Sequence, residues 1–254
     1  MKDIDILIEK EFQRLMESEK VLSEFEKEFP RSIVKADPSE RPLEVTEENM
    51  RKIFRILNKM FFDGKLKEVP MKGMTVEKAV SFFNKVMVKK VTVQDIREIL
   101  GMHYCKMEPN DDTKSFDIAP NTDFIYIQLM GDMRVSFGYV VATIMHEMIH
   151  FYDSLFGNVL QLHYQFLFND IPYDIHGTTI FRKYMKMAND NDIMVKEDGE
   201  GKSFSELNKE AQECFLNLHD GDEELKIESY EGKKFGTYPI TIKRKDGTYD
   251  FFVF

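Results

Sequence analysis

Two histidines and a glutamate with metal-site spacing stand in the stretch His146-Glu147-Met148-Ile149-His150. An α-helix turns about 100° per residue, so His146 and His150 share one face and can direct imidazole nitrogens at one ion. Glu147 lies beside that pair, where it can take a proton from water that zinc acidifies to a pKa of about 7. The stretch therefore predicts a Zn²⁺ site with Glu147 as the catalytic residue. Peptide-bond hydrolysis requires this combination of a metal ion, a bound water and a base.

The alternative explanation is chance, with two core histidines hydrogen-bonded to backbone and a structural glutamate between them. The chain has six histidines in 254 residues. At that frequency the triplet arises by coincidence in about one such chain in seventy. The residues around it must therefore distinguish a metal site from a chance match. Most of the surrounding residues are apolar: Val140, Val141, Ala142, Ile144, Met145, Met148 and Ile149. Histidine and glutamate in a buried helix cost free energy unless they are paired, and this favours the metal site.

A catalytic zinc site requires a third protein ligand and one open position. Metzincins place glycine and histidine three and six residues after the second histidine, but here those positions hold Asp153 and Phe156. An acidic third ligand is disfavoured, because the acidic residues after His150 begin with Asp153, Asp170 and Asp174, and the first downstream glutamate, Glu197, lies in a polar stretch. Two nearby histidines remain as candidates, His163 and His176.

His176 is the stronger candidate for the third ligand. Gly177 follows it and permits close backbone approach, and a helix-like stretch begins at residue 178. His163 lies in an aromatic-rich segment and is better explained as a packing histidine. His103 and Cys105 point to one face of a predicted strand, but no further ligands accompany them, so we interpret both as structural.

Hydrophobic periodicity and turn residues divide the chain into helical and strand-like stretches. Helices are predicted at 3–29, from Thr46 to a turn at Asp63-Gly64, within 77–100, and at 136–156, 178–189 and 203–217. Strands are predicted at 69–76, 102–107 and 124–130, and Asp246-Gly247 between two strand-like runs is typical of a β-hairpin. The basic run Lys243-Arg244-Lys245 is interpreted as a solvated flank of that hairpin.

These stretches predict an α+β fold in which a small β-sheet packs on helices. Residues 1–45 are interpreted as an N-terminal helix and linker, 46–195 as the catalytic domain, and 196–254 as a C-terminal helix and β-hairpin. The polar residues 108–123 are interpreted as a loop. Residues 157–175 are interpreted as a connection with an insertion, which could act as a lid over the site.

Composition narrows the function classes. The net charge of -10 argues against autonomous binding to nucleic acid, which needs a positive surface. The two cysteines, Cys105 and Cys214, form no C-x-x-C pair, so neither a disulfide framework nor a cysteine zinc ribbon is expected. The absence of a long apolar run and of a secretory signal predicts a cytoplasmic protein without a membrane partner.

The two histidine motifs together resemble those of the SprT-like (Spartan-type) zinc metallopeptidases. That family carries H-E-x-x-H on one helix and a third histidine in an H-G-x-x-aromatic motif that opens the next helix. His146 to His150 match the first motif, and His176-Gly177-Thr178-Thr179-Ile180-Phe181 resemble the second, with the aromatic residue one place late. Residues 58–71 and 124–130 look like the family's entry segment and its strand before the active-site helix. The resemblance covers roughly residues 46–195.

The resemblance implies a zincin-like core, a Zn²⁺ cofactor held by His146, His150 and His176, and protein substrates that include DNA-associated proteins. The alternative function is a non-catalytic protein that keeps this fold and docks onto a larger assembly through its N-terminal helix or C-terminal hairpin. A third is hydrolysis of a non-peptide amide, because the same zinc, water and glutamate would serve.

Overall fold

The computed structural model describes residues 19–34, 43–86, 101–122, 124–129, 134–135, 137–169, 171, 173–190 and 240–253. They form a mixed α+β structure, which confirms the predicted class. The helices are α1 Glu19–Phe25, α2 Arg31–Val34, α3 Glu47–Phe61, α4 Val76–Val86, α5 Phe137–Phe156, α6 Val159–Asn169 and α7 Thr179–Asp190. The strands are β1 Leu43–Glu44, β2 Met71–Thr75, β3 Gly101–Asn110, β4 Ser115–Ile118, β5 Phe124–Leu129, β6 Arg134–Val135, β7 Ile240–Lys243 and β8 Tyr249–Val253.

The described residues fall into two compact units. The first draws on Met1–Met102, Phe124–Ile149 and Lys183–Val195, and the second on His103–Asp123, His150–Arg182 and Lys196–Phe254. Helix α5 runs through both sets of residues without a break. Among the described residues, no helix combines the length and apolar character needed to cross a membrane.

Helix α3 is the best-defined element of the first unit. The Thr46 side chain caps its start by accepting from the Asn49 N–H at 3.2 Å. Residues four or three apart bury one face: Met50, Ile53, Phe54, Leu57 and Phe61. The helix ends before Asp63 and Gly64, which take positive φ angles of 55° and 70°. The predicted helix and its turn are therefore confirmed.

The other predictions in the first unit are met in part. Strands β2 and β5 pair in parallel, with Met71 opposite Ile125 and Thr75 opposite Leu129. The N-terminal helix is described only over Glu19–Phe25, and a further short helix, Arg31–Val34, occupies the start of the expected linker. The Phe25 and Phe29 rings meet Phe137 edge-on at 5.2 and 5.0 Å, so this segment packs in the unit.

The second unit is built on antiparallel strands. Strand β8 pairs with β3 from His103 to Met107 and with β7 on its other side. The turn between β7 and β8 contains Gly247 at a φ of 86°, the conformation that glycine adopts at no steric cost. The predicted C-terminal hairpin is therefore confirmed, and it is paired directly with β3.

The expected polar loop at 108–123 was partly wrong. Strand β3 continues to Asn110 and turns back into β4, with Met107 opposite Ile118. The Asn110 side-chain oxygen accepts from the N–H groups of Asp112 and Thr113, both at 3.1 Å, and so closes the turn. Only Phe116 of β4 is buried. One apolar residue gives too weak an alternation to predict a strand.

The expected connection at 157–175 was also wrong, because most of it is helix α6. Its buried side chains recur at helical spacing: Val159, Leu160, His163, Tyr164, Phe166 and Leu167. All of them except His163 belong to one hydrophobic core cluster with Cys105, Met107, Phe116, Tyr249 and Phe251, and the His163 ring lies against Phe116 and Phe251 of that cluster. The buried face includes His163 and Tyr164, residue types that are commonly partly exposed, so the sequence shows no clear apolar period. A helix anchored this way does not favour a lid.

His163 is the polar centre of that cluster. Its ring nitrogens are hydrogen-bonded to the Tyr173 hydroxyl at 2.9 Å and the Thr241 hydroxyl at 2.8 Å. Complete burial lowers its pKa from 6.5 to about 3. The interpretation of His163 as a packing histidine is confirmed.

This burial predicts a pH-dependent stability. Below pH 6.5 His163 is protonated in the unfolded chain but stays neutral in the folded chain. The free energy of unfolding therefore falls as the pH falls from 6.5 towards 3. The loss approaches about 1.4 kcal/mol per pH unit. We expect the advantage of wild type over His163→Gln in urea unfolding with chelator present to shrink between pH 7.5 and 4.5. A constant difference across that range would contradict the assignment.

Several predictions fall at least partly outside the described residues, including the N-terminal helix before Glu19 and the linker at 35–42. The helix at 203–217, the part of the helical stretch 77–100 beyond Val86, and Cys214 also lie outside them.

Candidate metal centre

Helix α5 carries the first two candidate ligands. It is apolar on most sides, and the buried side chains include Val140, Val141, Ile144, Met145, Met148 and Ile149. A helix that is apolar all round lies in a core, which confirms the prediction for 136–156. His150 is buried on it, and His146, one turn earlier, is half-buried.

The three predicted ligand histidines come together. One ring nitrogen from each of His146, His150 and His176 lies within 4.8 Å of the other two, so the three could bind a metal ion. The Nε2 atoms of His150 and His176 are 3.2 Å apart. Two nitrogens of a tetrahedral zinc site, at bonds of about 2.0–2.1 Å, are separated by about 3.3 Å. The separation therefore fits two ligands of one zinc ion.

His176 lies in a tight turn before helix α7. Its backbone N–H donates to Asp174 Oδ1 at 3.0 Å, and the Gly177 N–H donates to the Asp174 carbonyl, also at 3.0 Å. A Cβ at Gly177 would lie 3.0 Å from the Asp174 Cβ, closer than ordinary packing permits. The glycine thus allows the close approach expected from the sequence.

An aromatic ring contacts two of the ligand histidines. The Phe181 ring stacks on His150 at 4.6 Å with an interplanar angle of 29°, and it meets His176 at 4.7 Å and 54°. Phe181 is fully buried. Sequence reasoning noted this residue only as an aromatic one place late in the motif. The ring limits the orientations open to both imidazoles.

Asp153 is a site residue that sequence reasoning missed. It lies on α5 three residues after His150, is 1% exposed, and its Oδ2 accepts from the Thr178 hydroxyl. Burial raises its pKa from 3.8 to about 6, against the opposing effect of the Thr178 hydrogen bond. From the sequence, Asp153 excluded the metzincin class and was weighed only as a weak acidic candidate for the third ligand. The available signal was an acidic residue inside an otherwise apolar helix.

Glu147, the predicted base, is 2% exposed. A Cβ at Gly101 would lie 2.6 Å from Glu147 Oε1 and would overlap the Thr143 side chain. The start of β3 therefore runs against the Glu147 carboxylate with no room for a side chain. The site thus places a carboxylate in a confined position beside His146, the first candidate ligand.

The remaining candidates lie outside the histidine group. His163 has both nitrogens engaged by Tyr173 and Thr241, so it is not the third ligand. His103 packs against Phe151 at 5.1 Å, and Cys105 lies in the core cluster. Within the part of the chain that the structure describes, neither joins a group of potential ligands. Their structural interpretation is supported.

The basic run on the hairpin is a turn flank. Lys243 and Lys245 are exposed, and Arg244 forms an ion pair with the buried Asp250. Asp250 also accepts from the Tyr104 hydroxyl at 2.9 Å. One of the three basic side chains is thus paired within the hairpin, on the same aspartate that bonds to Tyr104 of β3.

Comparisons of the chain with protein-family models, with curated proteins and with solved structures gave no match.

Proposed function

We propose that this chain is a zinc-dependent metallopeptidase with a SprT-like core. The observation that carries the proposal is the grouping of His146, His150 and His176, with the buried Glu147 adjacent to the first of them. Three protein ligands and one open position characterise catalytic rather than structural zinc sites. Two of the histidines are only half-buried, which leaves a side of the group accessible.

The donor set is compatible with zinc and disfavours magnesium and calcium. Imidazole nitrogens suit zinc, copper, iron and nickel, whereas magnesium and calcium prefer oxygen ligands. His146, His150 and His176 would hold the ion. A zinc ion held there would supply Lewis acidity, which polarises a peptide carbonyl and lowers the pKa of water to about 7.

Glu147 is the proposed general base. Its carboxylate would accept the proton that the attacking water releases as the water oxygen bonds to the carbonyl carbon. It would then deliver that proton to the amide nitrogen as the C–N bond breaks, so the proton taken from water ends on the leaving amine. Burial suits this role, because a confined carboxylate is held in one position.

The test is metal-dependent proteolysis by the full chain. Purified protein is stripped with chelator, reconstituted with zinc, and incubated with an unfolded protein and a quenched fluorescent peptide library. New N-termini are identified by mass spectrometry. We expect cleavage with zinc, loss on chelation and recovery when zinc returns. Zinc-loaded protein that cleaves neither substrate class would contradict the proposal and favour a non-catalytic role.

Additional substrates in the same assay separate the narrower alternatives. A protein crosslinked to DNA tests the DNA-associated class that the resemblance implies, with the uncrosslinked protein as its control. A set of non-peptide amides tests the third function. Faster cleavage of the crosslinked protein would support the narrower substrate class, and turnover of only the small amides would replace the peptidase proposal.

A further inference from the structure

We propose that Asp153 and Thr178 are positioning residues that hold the third ligand, His176, in place before metal binds. This inference rests on the metal site of the proposed function, and it requires no peptidase activity. Asp153 follows His150 on helix α5, and Thr178 follows His176 by two residues. Their side-chain hydrogen bond therefore links the element of the second ligand to that of the third.

Thr178 makes two bonds with one hydroxyl. Its Oγ1 donates to Asp153 and accepts from the Phe181 N–H at 3.1 Å. The second bond satisfies a backbone donor at the start of helix α7, as a helix N-cap does. Asp153 thus fixes the rotamer of the cap residue, and the cap fixes the start of α7. His176 stands in the turn immediately before that start.

Phe181 extends the same link to the imidazoles. Its backbone N–H is held by Thr178, and its ring lies against both His150 and His176. A displacement of the start of α7 would therefore move the ring and His176 together. Bringing the His176 nitrogen to 3.2 Å from that of His150 depends on this placement.

Asp153 occupies its position at a cost, which indicates a role beyond filling space. In the described part of the structure its Oδ1 has no hydrogen-bond partner. Burying such an oxygen is unfavourable, and native structures rarely tolerate it without reason. Gly157 makes room for it, because a Cβ there would overlap Asp153 Oδ1. The packing around Asp153 accommodates a carboxylate aimed at Thr178.

The experiment measures zinc affinity by competition with a chromophoric chelator, using the full chain stripped of metal. Thr178→Val and Asp153→Leu keep the shape of each side chain and remove the bond between them. We expect either variant to weaken zinc binding by about 10- to 100-fold, as loss of outer-sphere support typically does. Thr178→Ser and Asp153→Asn keep the hydroxyl and an acceptor oxygen, and they should restore most of the affinity.

Thr241→Val is the matched control. It removes another buried threonine hydroxyl, one bonded to His163 outside the metal group. It should lower the unfolding temperature and leave zinc affinity at the wild-type value. The double variant Asp153→Leu/Thr178→Val should bind zinc about as well as Thr178→Val alone, because that single variant already lacks both bonds of the hydroxyl. Wild-type affinity in Thr178→Val, or equal weakening in Thr241→Val, would overturn the proposal.

A second readout needs no metal and separates this inference from the proposed function. Hydrogen exchange of backbone amides in 174–182 is compared between metal-free wild type, Asp153→Leu and Thr241→Val. We expect faster exchange only in Asp153→Leu, because its cap residue loses its anchor while keeping its own hydroxyl. Unchanged exchange would overturn the positioning role even if the protein proved to be a zinc peptidase.

Discussion

Replacing Glu147 by glutamine is expected to lower kcat/KM for peptide hydrolysis by about 10²- to 10⁴-fold, the range that a general base contributes. Glutamine has nearly the same shape, so the confined space against Gly101 remains filled. It cannot accept a proton from water. The three histidines are untouched, so the variant should still bind one zinc per chain. Initial rates over a range of substrate concentrations, with zinc measured by mass spectrometry, test both expectations.

Glu108→Gln is the matched control for this prediction. It makes the same chemical change at an exposed glutamate on β3, and activity should not change. An active Glu147→Gln variant would remove Glu147 from the mechanism. An inactive variant that has also lost zinc would show that the carboxylate supports the metal site, and the assignment as a base would lose its support.

The part of the site that the sequence predicted is the part encoded locally. His146, Glu147 and His150 lie within five residues of one helix, so helical geometry alone places two imidazoles on one face. His176 lies 26 residues after His150. It was found by eliminating other ligand types and by the glycine beside it. Its proximity to His150 followed from that choice of third ligand and from the resemblance, and no local geometry encodes it.

The contacts that hold the site could not be predicted. The bond from Asp153 to Thr178 and the stacking of Phe181 depend on how α5 and the turn before α7 meet. No local sequence pattern encodes how these two segments pack together. Asp153 was visible as an acidic residue in an apolar helix, but its partner was not. Long-range pairs of this kind are fixed by tertiary packing, which a single sequence does not display.

The errors in the fold have the same origin. Helix α6 was missed because its buried face includes His163 and Tyr164, residue types that are commonly partly exposed. Burial of His163 is possible only because Thr241 and Tyr173 come from distant segments to bond it. Helix α3 was predicted correctly because all of its signals are local. Its cap, its apolar face and its terminating glycine follow one another in the chain.

Removing the third histidine should have the largest effect on metal binding. We expect wild type to hold one zinc per chain and His176→Ala to bind it more than about 100-fold more weakly, since even outer-sphere partners are worth 10- to 100-fold. His150→Ala should behave alike, because the two nitrogens are 3.2 Å apart and would share one ion. Competition with a chelator, followed by metal analysis after gel filtration, measures the difference. Gln161→Ala, on the exposed side of α6, is the control and should bind zinc normally.

Thermal unfolding distinguishes a lost ligand from a damaged fold. Zinc at 100 times its Kd should stabilise the wild type by about 2.7 kcal/mol, because only the folded chain assembles the three histidines. In His176→Ala that increment should disappear, while the metal-free unfolding temperature stays near that of metal-free wild type. Full zinc content in His176→Ala would move the third ligand to an acidic residue, because His163 is already bonded at both nitrogens. Wild type that binds no zinc would leave the three histidines as a structural cluster, and a non-catalytic protein would become the better proposal.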